Sequence, residues 1–249
     1  MYSYLKQLLR KIIPGKLIFK YEPVLRGILY LFYKGSNFHC NICSKKLRKF
    51  IEIPNGDKLC PNCGSSSRER RLWQLLDSEF LKIRTEILDF SPSRSIYRKL
   101  KKTPFISYTS TDLSGDFISE KSFNITDINI GSESYDLIIC YHVLEHIEND
   151  SRAMKELYRV LRKNGTCIIQ TPFKDGKIYE NPSLKTEEER LKYFGQKDHV
   201  RIYSVSGLKE RLSNCGFEVD VRKFIEEINN YTGFVENETI LICHKLSNV

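Results

Sequence analysis

The sequence predicts an α/β protein: an open, mainly parallel sheet with helices on both faces, preceded by a small metal-binding ribbon and short amphipathic helices. Three observations carry that reading. Residues 135–173 hold a strand, a helix and a second strand in under forty residues. From residue 85 onward, strand-like and helix-like patterns alternate. Ahead of them stand two Cys-x-x-Cys pairs separated by sixteen residues.

The 135–173 stretch is the clearest. Tyr135, Leu137, Ile138, Ile139 and Cys140 make a near-continuous apolar run, as expected of a strand buried on both faces. Asn149, Asp150 and Ser151 offer N-cap side chains for a helix whose stripe is Ala153, Met154, Leu157, Val160 and Leu161. Lys163, Asn164 and Gly165 read as its basic last turn and left-handed stop, with a strand over 166–171. The polar insert His142, Glu145 and His146 falls at the carboxyl end of the first of these strands, where open α/β sheets bind ligands.

In chain order, residues 1–35 read as two short helices broken at Pro14-Gly15 and Glu22-Pro23. Leu5, Leu8, Leu9, Ile12 and Ile13 share a face of the first, and Val24, Leu25, Ile28, Leu29 and Phe32 a face of the second. These faces either dock on the rest of the protein or lie on an anionic membrane surface. The charge is uneven. The chain carries +9 overall, yet residues 1–50 hold eleven Lys/Arg against one acid, Glu22. That front suggests an anionic partner, phosphate-bearing or lipid.

Cys40, Cys43, Cys60 and Cys63 follow the spacing of a four-thiolate zinc site, which is closed and therefore structural. Asn55-Gly56-Asp57 suits a hairpin tip between the pairs. Cys140, Cys167, Cys215 and Cys243 lie among apolar residues and read as small core side chains. The front has no long apolar h-region, and no run is long enough to span a bilayer, so the expected location is cytoplasmic, with room for peripheral contact at the inner face of the membrane. One of Ser65, Ser66 and Ser67 caps a helix to residue 80 whose Arg68, Arg70 and Arg71 either meet a phosphate or form solvated turns.

The alternation then supplies strands at 86–90, 107–113 and 123–127, the two of the 135–173 unit, and a final antiparallel pair at 217–224 and 239–246, seven in all. Ser91-Pro92-Ser93 is a turn, 95–102 a short helix, and 204–215 a helix closed by Gly216. A polar insertion over 174–200 separates the fifth strand from that last helix. The expected organisation is a basic helical segment over 1–36, a zinc ribbon over 37–66, a connecting helix over 67–83 and an α/β domain over 84–249.

This order of elements resembles the class I S-adenosylmethionine-dependent methyltransferases, a seven-stranded, Rossmann-like family, over about residues 84–246. ILDF, ending at Asp89 and Phe90, looks like the family's first strand and binding loop. YDLIICYHVLEHI with ELYRVLRKNGTCIIQTPF is similar to its fourth strand through its fifth, and FGQKDHVRIYSVSGLKERLSNCGFEV extends the match. The resemblance implies S-adenosyl-L-methionine as cofactor. It places Asp112 with Leu113 at the ribose and Asp127 with Ile128 at the adenine. Asp89, Phe90, Ser91, Pro92, Cys140, Tyr141, His142 and Glu145 line the rest of the cofactor cleft.

The family's glycine-rich turn is here Ser91-Pro92-Ser93, without glycine. A subset associated with bacterial surface-polysaccharide clusters carries a similar turn and a front zinc ribbon reading CPxCGS before arginines, and CPNCGSSSRER at 60–70 looks like that signature. The resemblance therefore implies methyl transfer to a sugar or glycan precursor. An oxygen nucleophile needs a general base, and His199, then His142 and His146, are the candidates, His199 because it follows the insertion and can come over the acceptor. Two other readings stand beside this one: an RNA methyltransferase using the ribbon and basic front as its platform, and a non-catalytic scaffold within a glycan-assembly complex.

Overall fold

The computed structural model describes residues 15–225 and 227–247. None of their helices is long and apolar enough to cross a membrane. The chain forms two compact units. The front unit takes Met1–Glu79, Arg94–Lys99 and Glu226–Glu236, and the sheet unit takes Phe80–Ser93, Leu100–Ile225 and Asn237–Val249.

In the front unit, α1 (Gly15–Leu31) runs unbroken through Pro23, so the expected break at Glu22-Pro23 is corrected. An interior proline removes one helical hydrogen bond and costs about 3 kcal/mol. Here the carbonyl it leaves without a partner, Phe19 O, accepts from Arg98 Nη2 at 2.7 Å. A hydrogen bond from a charged donor contributes roughly 1.5–3 kcal/mol, which offsets most of that cost. Glu22 anchors the same turn, with Arg26 Nε at 2.8 Å, Arg98 Nη1 at 3.0 Å and Arg94 Nη1 at 3.3 Å. Burial pushes its carboxyl up, but the three guanidiniums outweigh this and hold it below the usual range. Of the two readings of the second apolar face, docking is not what is seen: Val24, Leu25, Ile28 and Phe32 are exposed and Leu29 is half-buried, while Phe19 is half-buried and edge-on to Tyr97. The first expected helix, Leu5 to Ile13, lies outside the described residues.

The ribbon is two small antiparallel pairs: β1 (Lys34–Cys40) with β2 (Lys45–Leu47), and β3 (Ile51–Glu52) with β4 (Lys58–Leu59). Gly56, at φ +82°, turns the second pair as expected. Ser66 caps α2 (Ser67–Leu75) in a reciprocal box with Glu69. Arg70 and Arg71 of this helix are not available to a phosphate. Arg70 is fully buried, donates to the carbonyls of Ser65, Lys58, Thr232 and Gly233, and lies over the Phe50 ring at 4.1 Å. Arg71 pairs with Glu227 at 2.9 Å and stacks on Phe234. Buried carbonyls without partners are costly, and the Arg70 guanidinium satisfies a cluster of them where loops meet.

The sheet unit holds a mixed six-stranded sheet. Its members are β5 (Glu86–Phe90), β6 (Ser107–Thr111), β7 (Tyr135–Tyr141), β8 (Leu161–Gln170), β11 (Glu218–Phe224) and β12 (Glu238–His244), in the order β11-β12-β8-β7-β5-β6. β6, β5, β7 and β8 run parallel, and β12 and β11 close the other edge antiparallel.

The seventh strand, expected over 123–127, is instead a turn. The Asn124 side chain accepts from Thr126 N and Oγ1, and Asp127 N donates to Asn124 O, so local bonds replace a ladder. A helix, α3 (Arg94–Leu100), follows β5. α4 (Asp150–Val160), capped by Asn149, ends earlier than expected because Leu161 is already extended and pairs with Tyr135. The core gathers Leu88, Ile138, Met154, Leu157, Ile169 and Leu241, among others. The 174–200 insertion is ordered: it holds β9 (Tyr179–Glu180), paired with β10 (Arg201–Ile202), and a capped helix, α5 (Glu187–Phe194). α6 (Val205–Asn214) then precedes Gly216, at φ +103°.

Candidate active site and a four-cysteine cluster

Three parallel strands end in register. Thr111 pairs with Phe90, and Phe90 with Cys140, so the residues that follow each of them open on one carboxyl edge. The turn after β5 has no glycine, yet Ser91 adopts φ +48°. Such a residue costs of order 1–3 kcal/mol unless its surroundings hold it. Ser91 N donates to Thr111 O at 2.8 Å and its Oγ to Asp112 Oδ1 at 2.8 Å, and these two bonds hold serine in a left-handed shape that favours glycine. Asp112 is buried, and its Oδ2 accepts from Ser114 Oγ, Gly115 N and Phe117 N. Four donors thus occupy the about four lone-pair sites of this carboxylate. Ribose hydroxyls at Asp112 would have to replace the Ser91 or Ser114 hydroxyl.

Asp89 is wholly buried, accepts from Tyr108 Oη at 2.9 Å, and burial pushes its carboxyl up to about 8, against a smaller opposing effect of that hydrogen bond. Phe90 and Pro92 are buried, and Leu113 is exposed. Asp127 stands on the 124–127 turn with an exposed side chain 3.8 Å from Arg152 Nη2, while the Ile128 side chain is buried. The Cys140 thiol is enclosed in the core, so that residue can face a ligand only through its backbone.

At the end of β7, Tyr141 is half-buried and His142 takes φ +54°, its N–H bonded to Gln170 O at 2.8 Å. Its Nδ1 lies 3.1 Å from Glu145 Oε1. Glu145 sits in a 3₁₀ turn, Leu144–His146, and is 1% exposed. Burial pushes its carboxyl up, but the His142 hydrogen bond and the nearby imidazoles outweigh this and hold it low. His199 comes to the same place: Val200 N donates to Glu145 O at 2.9 Å, and the His146 and His199 rings meet edge to face at 4.7 Å. Burial, then His146, hold the His199 imidazole below its usual range.

All three histidines proposed as bases are therefore gathered around one carboxylate. What gathers them was not foreseen. Arg201, 5% exposed, donates to the carbonyls of Leu144, Ile147 and Glu148 and pairs with Glu180 at 3.0 Å. Nothing in the spacing of the sequence marks that contact, nor Tyr108 on Asp89.

The four predicted thiols of the front unit also converge. Each Cys-x-x-Cys pair wraps one turn, with Ser44 N on Cys40 O and Gly64 N on Cys60 O, and Ser44 and Gly64 at positive φ. Cys40 Sγ lies 3.6 Å from Cys63 Sγ, and Cys43 Sγ 3.7 Å from Cys60 Sγ. Sulfurs held about 2.3 Å from one zinc ion in a tetrahedron stand about 3.8 Å apart, so the donor set fits that ion.

Comparison with known proteins agrees with this fold. Over 97 residues the chain is 29% identical to a Mycolicibacterium smegmatis protein described as a probable S-adenosylmethionine-dependent methyltransferase; the match spans 39% of this chain and 34%, about a third, of that relative. The fold is similar to that of phosphoethanolamine N-methyltransferase 2 of Haemonchus contortus, solved with S-adenosyl-L-methionine: TM-score 0.52, 12% identity, over 72% of this chain and 53% of that one. It is also similar to the YcgJ protein of Bacillus subtilis, with TM-score 0.50, 12% identity, 72% of this chain and 100% of that one. The family model described as a methyltransferase domain matches residues 63–221, well over half of the sequence, and the chain belongs to that methyltransferase family.

Proposed function

We propose that this protein transfers a methyl group from S-adenosyl-L-methionine to an oxygen of a sugar or glycan precursor in surface-polysaccharide assembly, with a structural zinc ion on Cys40, Cys43, Cys60 and Cys63. The observation that carries the reading is the shared carboxyl edge of β6, β5 and β7, which sets Ser91 and Asp112 on one side and His142 to His146 on the other. The residues present fit the cofactor: Asp112 already accepts from the Ser91 and Ser114 hydroxyls, the kind of donor a ribose would bring in their place, and Ser91 shapes the turn without a large side chain. When bound, the cofactor supplies a methyl group on a positively charged sulfur, whose departure as a neutral thioether needs no acid. The chain's own task is to position the acceptor and hold its proton. The imidazoles gathered on Glu145 suit that task, with His199 as first choice.

The glycan acceptor rests on the likeness of the ribbon and the glycine-free turn to the polysaccharide-associated subset. The RNA reading loses support, because Arg70 is spent on carbonyls and Arg71 on Glu227 and the Phe234 ring inside the front unit. Calorimetric titration of the zinc-loaded chain with S-adenosylmethionine should show one site, weakened at least about tenfold by Asp112→Ala. A folded chain that does not bind the cofactor would leave only the scaffold reading. Labelled cofactor offered with RNA, lipid-linked glycan and nucleotide-sugar pools should mark a glycan pool, and label in RNA alone would refute the acceptor assignment.

A further inference from the structure

We infer that Glu145, His146 and His199 form a binding site for a divalent first-row transition cation, separate from the four cysteines. One potential ligand atom from each lies within 4.8 Å of the other two, close enough for one ion to bridge them after small side-chain adjustments. A second observation points to a ligand. Glu145 is 1% exposed and its Oε1 meets His142, yet its Oε2 is buried with no hydrogen-bond partner among the described residues. An unsatisfied buried oxygen costs roughly 1–3 kcal/mol, more if charged, and a cation would satisfy it. Asp198 Oδ2, 3.1 Å from His146 Nδ1, adds a second carboxylate at the edge of the cluster.

The surroundings suit an ion that keeps an open position. A cavity of about 200 Å³ adjoins the cluster, lined by Glu145 and His199 and walled by Phe194, Gly195 and Gln196 at the end of α5. Four thiolates close a metal's coordination sphere, whereas three protein ligands beside a cavity leave room for water or an acceptor oxygen. Two imidazoles and a carboxylate favour zinc, manganese, iron or cobalt over calcium or magnesium. Metal binding here does not depend on methyl transfer. Its consequence for catalysis does rest on the proposed function: with a cation in place His199 is a ligand instead of the base, and an acceptor hydroxyl on the cation would lose its proton more readily.

The test uses the full chain with its cysteines loaded with zinc, and Mn²⁺ as the probe, followed by calorimetry and by its paramagnetic spectrum. We expect uptake of one Mn²⁺ per chain, weakened at least about tenfold by Glu145→Gln and by His199→Asn. His146→Asn, at a half-exposed ring, should do the same with little risk to folding, which circular dichroism checks for all three. No uptake at millimolar Mn²⁺, or uptake that the three variants leave unchanged, overturns the site. A parallel titration with S-adenosylmethionine separates the two proposals. Cofactor binding without Mn²⁺ uptake removes the cation site alone, and Mn²⁺ uptake without cofactor binding removes methyl transfer alone.

Discussion

The four-cysteine cluster and the Glu145 cluster both gather metal-ligating side chains, but they are built in opposite ways. The cysteines come from one short stretch, 23 residues from first to last, and each pair is shaped by its own turn. Glu145, His146 and His199 are brought together from separate parts of the sheet unit by a backbone bond from Val200 and by Arg201. A site whose geometry is local can be read from spacing. A site whose geometry is tertiary depends on residues that never touch its ligand.

The largest effect should come from breaking the local site. Structural zinc in small domains contributes on the order of 10 kcal/mol of apparent binding free energy, which is also folding free energy. Cys60→Ser should lose the ion, measured as zinc per chain by atomic emission, together with the front unit's cooperative unfolding. Zinc lost with unfolding unchanged would mean that the ribbon stands on its hydrogen bonds and Arg70 alone, and the contrast would fail.

The two regions also treat a buried carboxyl differently. Glu22 in the front unit is ringed by Arg26, Arg94 and Arg98, which hold it low against burial. Asp89 in β5 has only Tyr108 among the described residues, and burial pushes it up to about 8. The signs follow. Between the unfolded value near 4 and the folded value near 8, the folded chain keeps a proton that the unfolded chain has released, so stability falls as pH rises through that window. The contribution is fully present below about pH 4 and gone above about pH 8, a change on the order of 5 kcal/mol. Glu22 acts the other way, stabilising at neutral pH and losing that contribution on acidification. Urea midpoints measured from pH 5 to 8.5 should decline, and Asp89→Asn should flatten the decline. A slope unchanged in Asp89→Asn would assign it to another group.

The same division marks what was legible in the sequence. The parallel strands, the Asn149 cap, the Gly56 tip, the final antiparallel pair and the convergence of the four cysteines all rest on short-range patterns, and they were read correctly. The misses are tertiary or involve local bonds competing with a pattern. Pro23 reads as a helix break because the donor that rescues Phe19 O, Arg98, lies 79 residues away. Residues 123–127 read as a strand from their apolar residues, but Asn124 bonds its own turn instead. Arg70 and Arg71 read as phosphate contacts or solvated turns because nothing local shows that the Thr232 and Gly233 carbonyls converge on Arg70 or that Glu227 pairs with Arg71. The seventh strand and the free arginines were therefore lost for one kind of reason: partners far along the chain, or side-chain bonds that a periodicity cannot register.

Arg201 gives the smallest and most discriminating of these predictions. It touches no ligand of the proposed cation. It holds the carbonyls of Leu144, Ile147 and Glu148 and pairs with Glu180 and Asp150, all around the turn that carries Glu145 and His146. Arg201→Met keeps the side chain's length and apolar stem but leaves those carbonyls and the Asp150 carboxylate without it. Breaking a buried pair by removing one partner typically costs about 3–5 kcal/mol. Here Arg211 still serves both Asp150 and Glu180, at 2.5 and 2.6 Å, so roughly half of that is the expected loss in the urea midpoint. Mn²⁺ affinity should fall with it, because the 144–148 turn is then free to shift against His199, while zinc content stays at one per chain. Mn²⁺ affinity unchanged in a destabilised Arg201→Met would mean that the turn holds its shape through the Val200–Glu145 bond alone, and the distinction between a local and a supported site would narrow to that single bond.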